Sequence, residues 1–180
     1  GYGGSCFPKD TLEFVSTARE YGKPSRIVEA VVAANDARKE SMAERVEGAL
    51  DGSLEGKRVA LLGVTFKAET DDMRESPALT VIPDLQRRGA EVVAYDPQGM
   101  RRAAELLDGV TWAEDPYEAL KGADALAILT EWKVFATLDL VRLRAAMNSP
   151  IVVDMRNLYD PAIMEAAGFR YISIGRKPVG

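Results

Sequence analysis

The sequence predicts an α/β fold, a doubly wound parallel sheet preceded by one long helix. Three observations carry that prediction. From about residue 58 onward, short apolar runs alternate with amphipathic helical stretches. Those runs lack the in–out polar alternation of a sheet with one wet face, so both faces are expected to be covered, as in parallel sheets. Ahead of them, about 25 residues pass without proline and with almost no glycine, and a helix of that length would run roughly 38 Å.

In chain order, the spacing of Leu12, Phe14, Val15 and Ala18 predicts a helix from Asp10 to about Tyr21, closed by Gly22. The long helix follows, from about Ser25 to Leu50. Ile27, Ala30, Val31, Ala34, Met42, Val46 and Ala49 recur along it at mostly three- and four-residue spacing. It is longer than one compact domain of this size needs internally, so it is expected to span domains or pack on another subunit. Asn35, beside the apolar stripe, reads as a partly exposed helix residue. Asp51–Gly56 is a linker. It separates residues 1–52 (a cysteine loop and two helices) from a sheet domain over 53–180.

Beyond the linker, Arg58–Gly63 reads as a buried strand, followed by a long loop to Glu75 and a helix over about Ser76–Arg88. Strands are expected at Glu91–Tyr95, Val110–Trp112, Ala125–Thr130, Ile151–Asp154 and Tyr171–Ile174. Helices are expected near Met100–Leu107, Tyr117–Leu120, Asp139–Ala146 and Ala162–Ala167. This is a Rossmann-like arrangement, whose ligands sit beyond the carboxyl ends of the strands.

Composition narrows the function classes. At 47% hydrophobic and 28% charged, the 180 residues can bury a real core. A net charge of −5 gives no reason to expect nucleic acid or an anionic membrane as partner. No apolar run approaches the roughly 20 residues of a membrane span. Histidine is absent and cysteine occurs once, which excludes Ser-His-Asp and Cys-His catalysis and makes a metal site improbable. A lone free thiol fits a reducing compartment, the cytoplasm.

That cysteine lies in Gly1-Tyr2-Gly3-Gly4-Ser5-Cys6-Phe7-Pro8-Lys9-Asp10. The glycines let the backbone take positive φ and pass close to a ligand. Lys9 could favour a Cys6 thiolate, and Asp10 could handle protons or align water. The alternative is a glycine-rich turn with a buried, inert cysteine. Further on, the loop after the first strand has Gly63 but not the G-x-G-x-x-G spacing that brings a helix start onto a pyrophosphate. Lys67 and Arg74 on that loop, and Arg156 after the Ile151–Asp154 strand, are candidate phosphate ligands, or else solvated or ion-paired charges. Asp154 or Asp160 would pair with Arg156 equally well. Asp71 and Asp72 read as loop-ordering carboxylates. Asp96 reads as a turn former and Trp132 as a packing residue.

The cysteine decapeptide resembles the catalytic-cysteine loop of the nucleotide-sugar dehydrogenases, the UDP-glucose/GDP-mannose dehydrogenase family. The likeness continues through Gly63–Lys67, Thr70–Pro77, Tyr95-Asp96-Pro97, Thr130-Glu131-Trp132 and Asp154–Asn157. It implies NAD-dependent oxidation of a sugar primary alcohol to the carboxylate, UDP-glucose to UDP-glucuronate, through a thiohemiacetal and thioester on Cys6. GDP-mannose or another UDP-hexose is the alternative substrate within the family. A nucleotide-binding dimerisation module without catalysis is the alternative outside it.

By this resemblance Cys6 and Asp10 are catalytic. Tyr2, Gly3, Phe66, Lys67 and Arg156 bind the UDP-sugar, while Lys9 and Arg74 lie along the cofactor. NAD is expected to be held mainly by an N-terminal domain that this chain does not contain. The long helix is expected to form the core of a homodimer.

Overall fold

The computed structural model describes all 180 residues. Two helices come first, α1 (Phe7–Glu20) and α2 (Arg26–Ala49). Helix α1 starts three residues earlier than the sequence suggests because Pro8 falls in its first turn, where a missing N–H costs nothing. A six-stranded sheet follows: β1 (Arg58–Leu62), β2 (Glu91–Tyr95), β3 (Val110–Trp112), β4 (Ala125–Ile128), β5 (Ile151–Asp154) and β6 (Arg170–Ser173). Every pairing is parallel and the order is β3-β2-β1-β4-β5-β6, so the topology reverses between β1 and β4.

Helices α3 (Ala78–Arg87), α4 (Met100–Ala103), α5 (Pro116–Leu120), α6 (Lys133–Ala136), α7 (Leu140–Ala146) and α8 (Pro161–Ala166) connect the strands. The one-turn helix α6 is absent from the sequence reading, because four residues show no period. Helix α4 ends at Ala103, earlier than expected. Asp115, Asp139 and Asp160 each cap a helix by accepting N–H bonds from the residues that follow.

Successive strand residues point to opposite faces, and the two cores divide accordingly. Val59 and Leu61 of β1 join Val81, Ile82 and Leu85 of α3 and Met42, Val46 and Ala49 of α2. Ala60 and Leu62 join Leu120, Phe135, Leu143, Met164 and Phe169 on the other face. The C-terminal half of α2 is thus part of the sheet's own core. An ion-pair knot reinforces it, since Arg88 reaches both Asp84 of α3 and Glu47 of α2.

The N-terminal half of α2 is different. Ile27 is 81% exposed and Val31 43%, beside exposed Leu12 and Phe14 of α1. No helix is long and apolar enough to cross a membrane.

Candidate active site

The carboxyl ends of the strands carry Phe66, Lys67, Arg74 and Arg156, and the cysteine loop with the other candidates is docked beside residues 66–75. Gly4 has φ +86, and its N–H donates to the Arg74 carbonyl at 3.0 Å. A Cβ on Gly4 would meet the Phe66 ring at 2.8 Å, and one on Gly3 would meet the Glu75 carbonyl at 2.5 Å. Both glycines are therefore needed for the loop to lie against residues 66–75. The Tyr2 ring packs edge-on against Phe7, centroids 4.7 Å apart. Tyr2, Gly3, Phe66 and Arg74 are in this way brought together within a few residues of Cys6.

Cys6 caps the N-terminus of α1 and is exposed, with its sulfur 3.5 Å from the Ser5 hydroxyl. The sequence alternative of a buried cysteine is corrected, since the thiol is exposed. A helix N-terminus carries partial positive charge. Lys9, however, pairs with Asp10 at 3.2 Å, both exposed. The Lys9 ammonium is held above its ordinary value by the Asp10 hydrogen bond first, then by the Asp10 charge and, more weakly, by Cys6 and Glu13.

Arg74 is clasped by Asp72, whose carboxylate accepts from Nε at 2.8 Å and from Nη2 at 2.7 Å. Asp72 also accepts the Arg74 N–H, and Asp71 pairs with Arg102, so both carboxylates order the loop as the sequence suggests. The Arg74 hydrogen bond holds Asp72 below the ordinary carboxylate range. The Asp72 hydrogen bond first, and then the Asp72 charge, hold the Arg74 guanidinium above its ordinary value.

Arg156 stands apart from that cluster. With Arg38, Lys39, Met42, Leu129 and Pro77 it lines a pocket of about 190 Å³ between α2 and the ends of β4 and β5. The partner of Arg156 is neither Asp154 nor Asp160 but Glu131, bound through Nε at 2.5 Å and Nη2 at 2.8 Å. Burial pushes the Glu131 carboxyl up. The Arg156 hydrogen bond, a backbone hydrogen bond and the Arg156 charge outweigh it, so the carboxyl lies below its ordinary value.

Asp154 instead shapes the turn, accepting the N–H groups of Arg156, Leu158 and Tyr159 and the Tyr171 hydroxyl. Lys67 is exposed, 5.3 Å above the Phe66 ring. It does not line the Arg156 pocket.

Asn35 departs from its sequence reading. It is 7% exposed and bonded to Tyr2 in both directions, accepting its N–H at 2.7 Å and donating to its carbonyl at 3.1 Å. Nothing local could have disclosed this, because the partner lies 33 residues away. Asp96 and Trp132 behave as expected. Asp96 is fully buried and accepts from Val64, Thr65, Gln98, Gly99 and the Trp132 indole N–H.

This settles what the sheet's own crevice can hold. The helix after Gly63 begins only at Ala78, and a Cβ at Gly63 would lie 2.5 Å from Thr130. The Asp96 carboxylate is spent on protein donors. A dinucleotide does not fit there in the ordinary way. Lys9 and Arg74 are exposed, the first paired with Asp10 and the second with Asp72. No cluster of His, Cys, Asp or Glu side chains suits a metal ion.

Two family profiles match the chain, both from the UDP-glucose/GDP-mannose dehydrogenase family: the UDP binding domain over residues 60–161 and the central domain over residues 1–37. Over 98% of its length the chain is 52% identical to the UDP-glucose 6-dehydrogenase of Rhizobium meliloti (strain 1021), covering 40% of that protein. It is 43% identical to the enzyme of the same name from Pseudomonas aeruginosa, covering 41% of it. Among solved structures, the UDP-glucose dehydrogenase of Pyrobaculum islandicum matches with a TM-score of 0.77 at 38% identity, over 86% of this chain and 34% of that one. The NDP-N-acetyl-D-galactosaminuronic acid dehydrogenase of Methanosarcina mazei Go1 matches with a TM-score of 0.80 at 25% identity, over 98% and 39%. The chain spans about 40% of the length of the curated relatives it matches. With its cysteine loop, its parallel sheet and more than half its residues matched by one profile, the chain belongs to the UDP-glucose/GDP-mannose dehydrogenase family.

Proposed function

We propose that this chain is the cysteine-bearing, UDP-sugar-binding portion of an NAD-dependent UDP-glucose 6-dehydrogenase. The observation that carries the reading is the docking of an exposed Cys6, at a helix N-terminus, beside the Phe66–Glu75 loop. NAD, when bound, would supply the oxidising power for the two successive hydride removals. Cys6 adds to the C6 aldehyde left by the first round, and its sulfur forms a bond to carbon while the carbonyl oxygen takes a proton. The thiohemiacetal still bears one hydrogen on that carbon. Its loss as hydride in the second round, with the hydroxyl proton, leaves a thioester. Water, aligned by Asp10, then releases the acid and the free thiol. Covalent capture divides a difficult oxidation into easier steps and retains a reactive aldehyde.

Arg156 and Lys67 hold the diphosphate side of the substrate, and Tyr2, Gly3 and Phe66 wall the loop against the sugar. Lys9 and Arg74 meet an NAD held mainly by a domain N-terminal to the cysteine loop in the whole enzyme. Residues 1–52 form the catalytic-loop and dimerisation unit, and residues 53–180 the UDP-binding unit. Exposed Ile27 and Val31 on α2, with Leu12 and Phe14 of α1, support a homodimer through α2. The free thiol suits the cytoplasm.

The test is Cys6→Ser in the intact enzyme. Acid formation should fall by roughly a thousandfold or more, the scale of removing a covalent nucleophile, with UDP-glucose binding retained. Undiminished turnover would sink the covalent mechanism.

A further inference from the structure

Asn35 and Lys39 stand one turn apart on α2 and share a face. Neither Asn35 amide group bonds within its own helix, although asparagine is a poor mid-helix residue. Both are spent on Tyr2, in the two-way pairing that a neighbouring strand would otherwise offer. Lys39 is likewise buried, and its Nζ lies 3.1 Å from the Glu75 carboxylate. Glu75 holds a left-handed backbone, φ +53, and its carbonyl faces Gly3. Between these ties runs the Gly4 N–H bond to Arg74. Residues 2–4 and 74–75 are therefore held to each other and, on both sides, to α2. The last of these residues is two positions from the sulfur.

We propose that Asn35, supported by Lys39, is the positioning residue for the Cys6 thiol. Helix α2 fixes the backbone entering Cys6 and so sets where the sulfur stands relative to Phe66 and Lys67. The inference rests on Cys6 being the reacting group. It assigns Asn35 no contact with substrate.

Asn35→Ala and the near-isosteric Asn35→Asp are to be compared with wild type in the intact enzyme. The readouts are kcat, KM for UDP-glucose and the rate of Cys6 alkylation by iodoacetamide with and without UDP-glucose, with urea unfolding run alongside. For alanine, kcat should fall about tenfold, the scale of unpairing two backbone groups, while KM stays within about twofold. UDP-glucose should slow alkylation in wild type and slow it less in the alanine variant. Asn35→Asp keeps an acceptor for the Tyr2 N–H and loses the donor to its carbonyl, so it should fall between, and it decides the matter if the alanine variant does not fold. A lowered urea midpoint with kcat and alkylation unchanged would overturn the proposal, leaving Asn35 a structural residue only. Cys6→Ser in the same assay separates the two failures. Full activity there overturns the catalytic reading itself, whereas Cys6-dependent activity indifferent to Asn35 overturns only the positioning.

Discussion

Above β1 and β2 the polar groups at the strand ends pair with one another and close the crevice, whereas above β4 and β5 they pair, Arg156 with Glu131, and still leave a pocket beside them. In the first crevice Asp96 accepts five backbone and side-chain partners, and the Thr130 hydroxyl closes on the Thr65 carbonyl at 2.6 Å. In the second, Arg156, Arg38 and Lys39 line about 190 Å³ of space, with Arg156 paired to Glu131 and Lys39 to Glu75. Both lie on one sheet whose strand order reverses between β1 and β4, the place where such folds ordinarily take a dinucleotide. Strand order therefore does not by itself assign the ligand. What matters is whether the groups at the strand ends, once paired, leave open space beside them.

The largest expected effect breaks the sealed side. Asp96→Ala would leave several buried N–H groups without acceptors, and should cost about 3–5 kcal/mol of stability in urea unfolding. A loss under about 1 kcal/mol would mean that the crevice is wetter and more open than described.

On the open side, Arg156→Ala removes a charge-assisted contact and should weaken UDP-glucose binding by about 1.5–3 kcal/mol, roughly ten- to a hundredfold. Lys67→Ala, outside the pocket, should weaken it less. The reverse ranking would move the diphosphate to the Phe66 side.

A smaller effect concerns α2, whose C-terminal half is core and whose N-terminal half is bare. Val31→Glu should shift sedimentation from dimer towards monomer and change urea stability by less than about 0.5 kcal/mol per chain beyond the lost association. An unchanged dimer mass would place the interface elsewhere.

The smallest effect is a pH dependence. The folded Glu131 carboxyl lies below its ordinary 4.5, so its pair with Arg156 stabilises fully above that pH. The contribution fades as pH falls through the depressed value. Glu131→Gln should flatten this acid limb of the stability profile, and an identical limb would show that the pair contributes nothing.

The strands and most helices were legible because Val59–Leu62, Val92–Ala94 and Ala125–Ile128 are buried on both faces and read as continuous apolar runs. The cysteine loop was legible because its glycines and charges are contiguous. The pairings that build the site were not. Asp154 and Asp160 are the acids close to Arg156 in sequence, but its partner Glu131 sits 25 residues away, after the neighbouring strand. Asn35 is bonded across 33 residues to a backbone that carries no side-chain signal. Lys9 was placed beside the sulfur by proximity in sequence, yet the helical turn hands it to Asp10. Helical and strand periods report what an element buries, and only the fold reports which loops meet above it.

Calorimetric titration of the 180-residue chain with UDP and, in parallel, with NAD tests the contrast between the two crevices most directly. The account predicts measurable UDP binding that Arg156→Ala weakens about ten- to a hundredfold, and no heat from NAD at the same concentration. NAD binding as tight as UDP, and indifferent to Arg156→Ala, would contradict it.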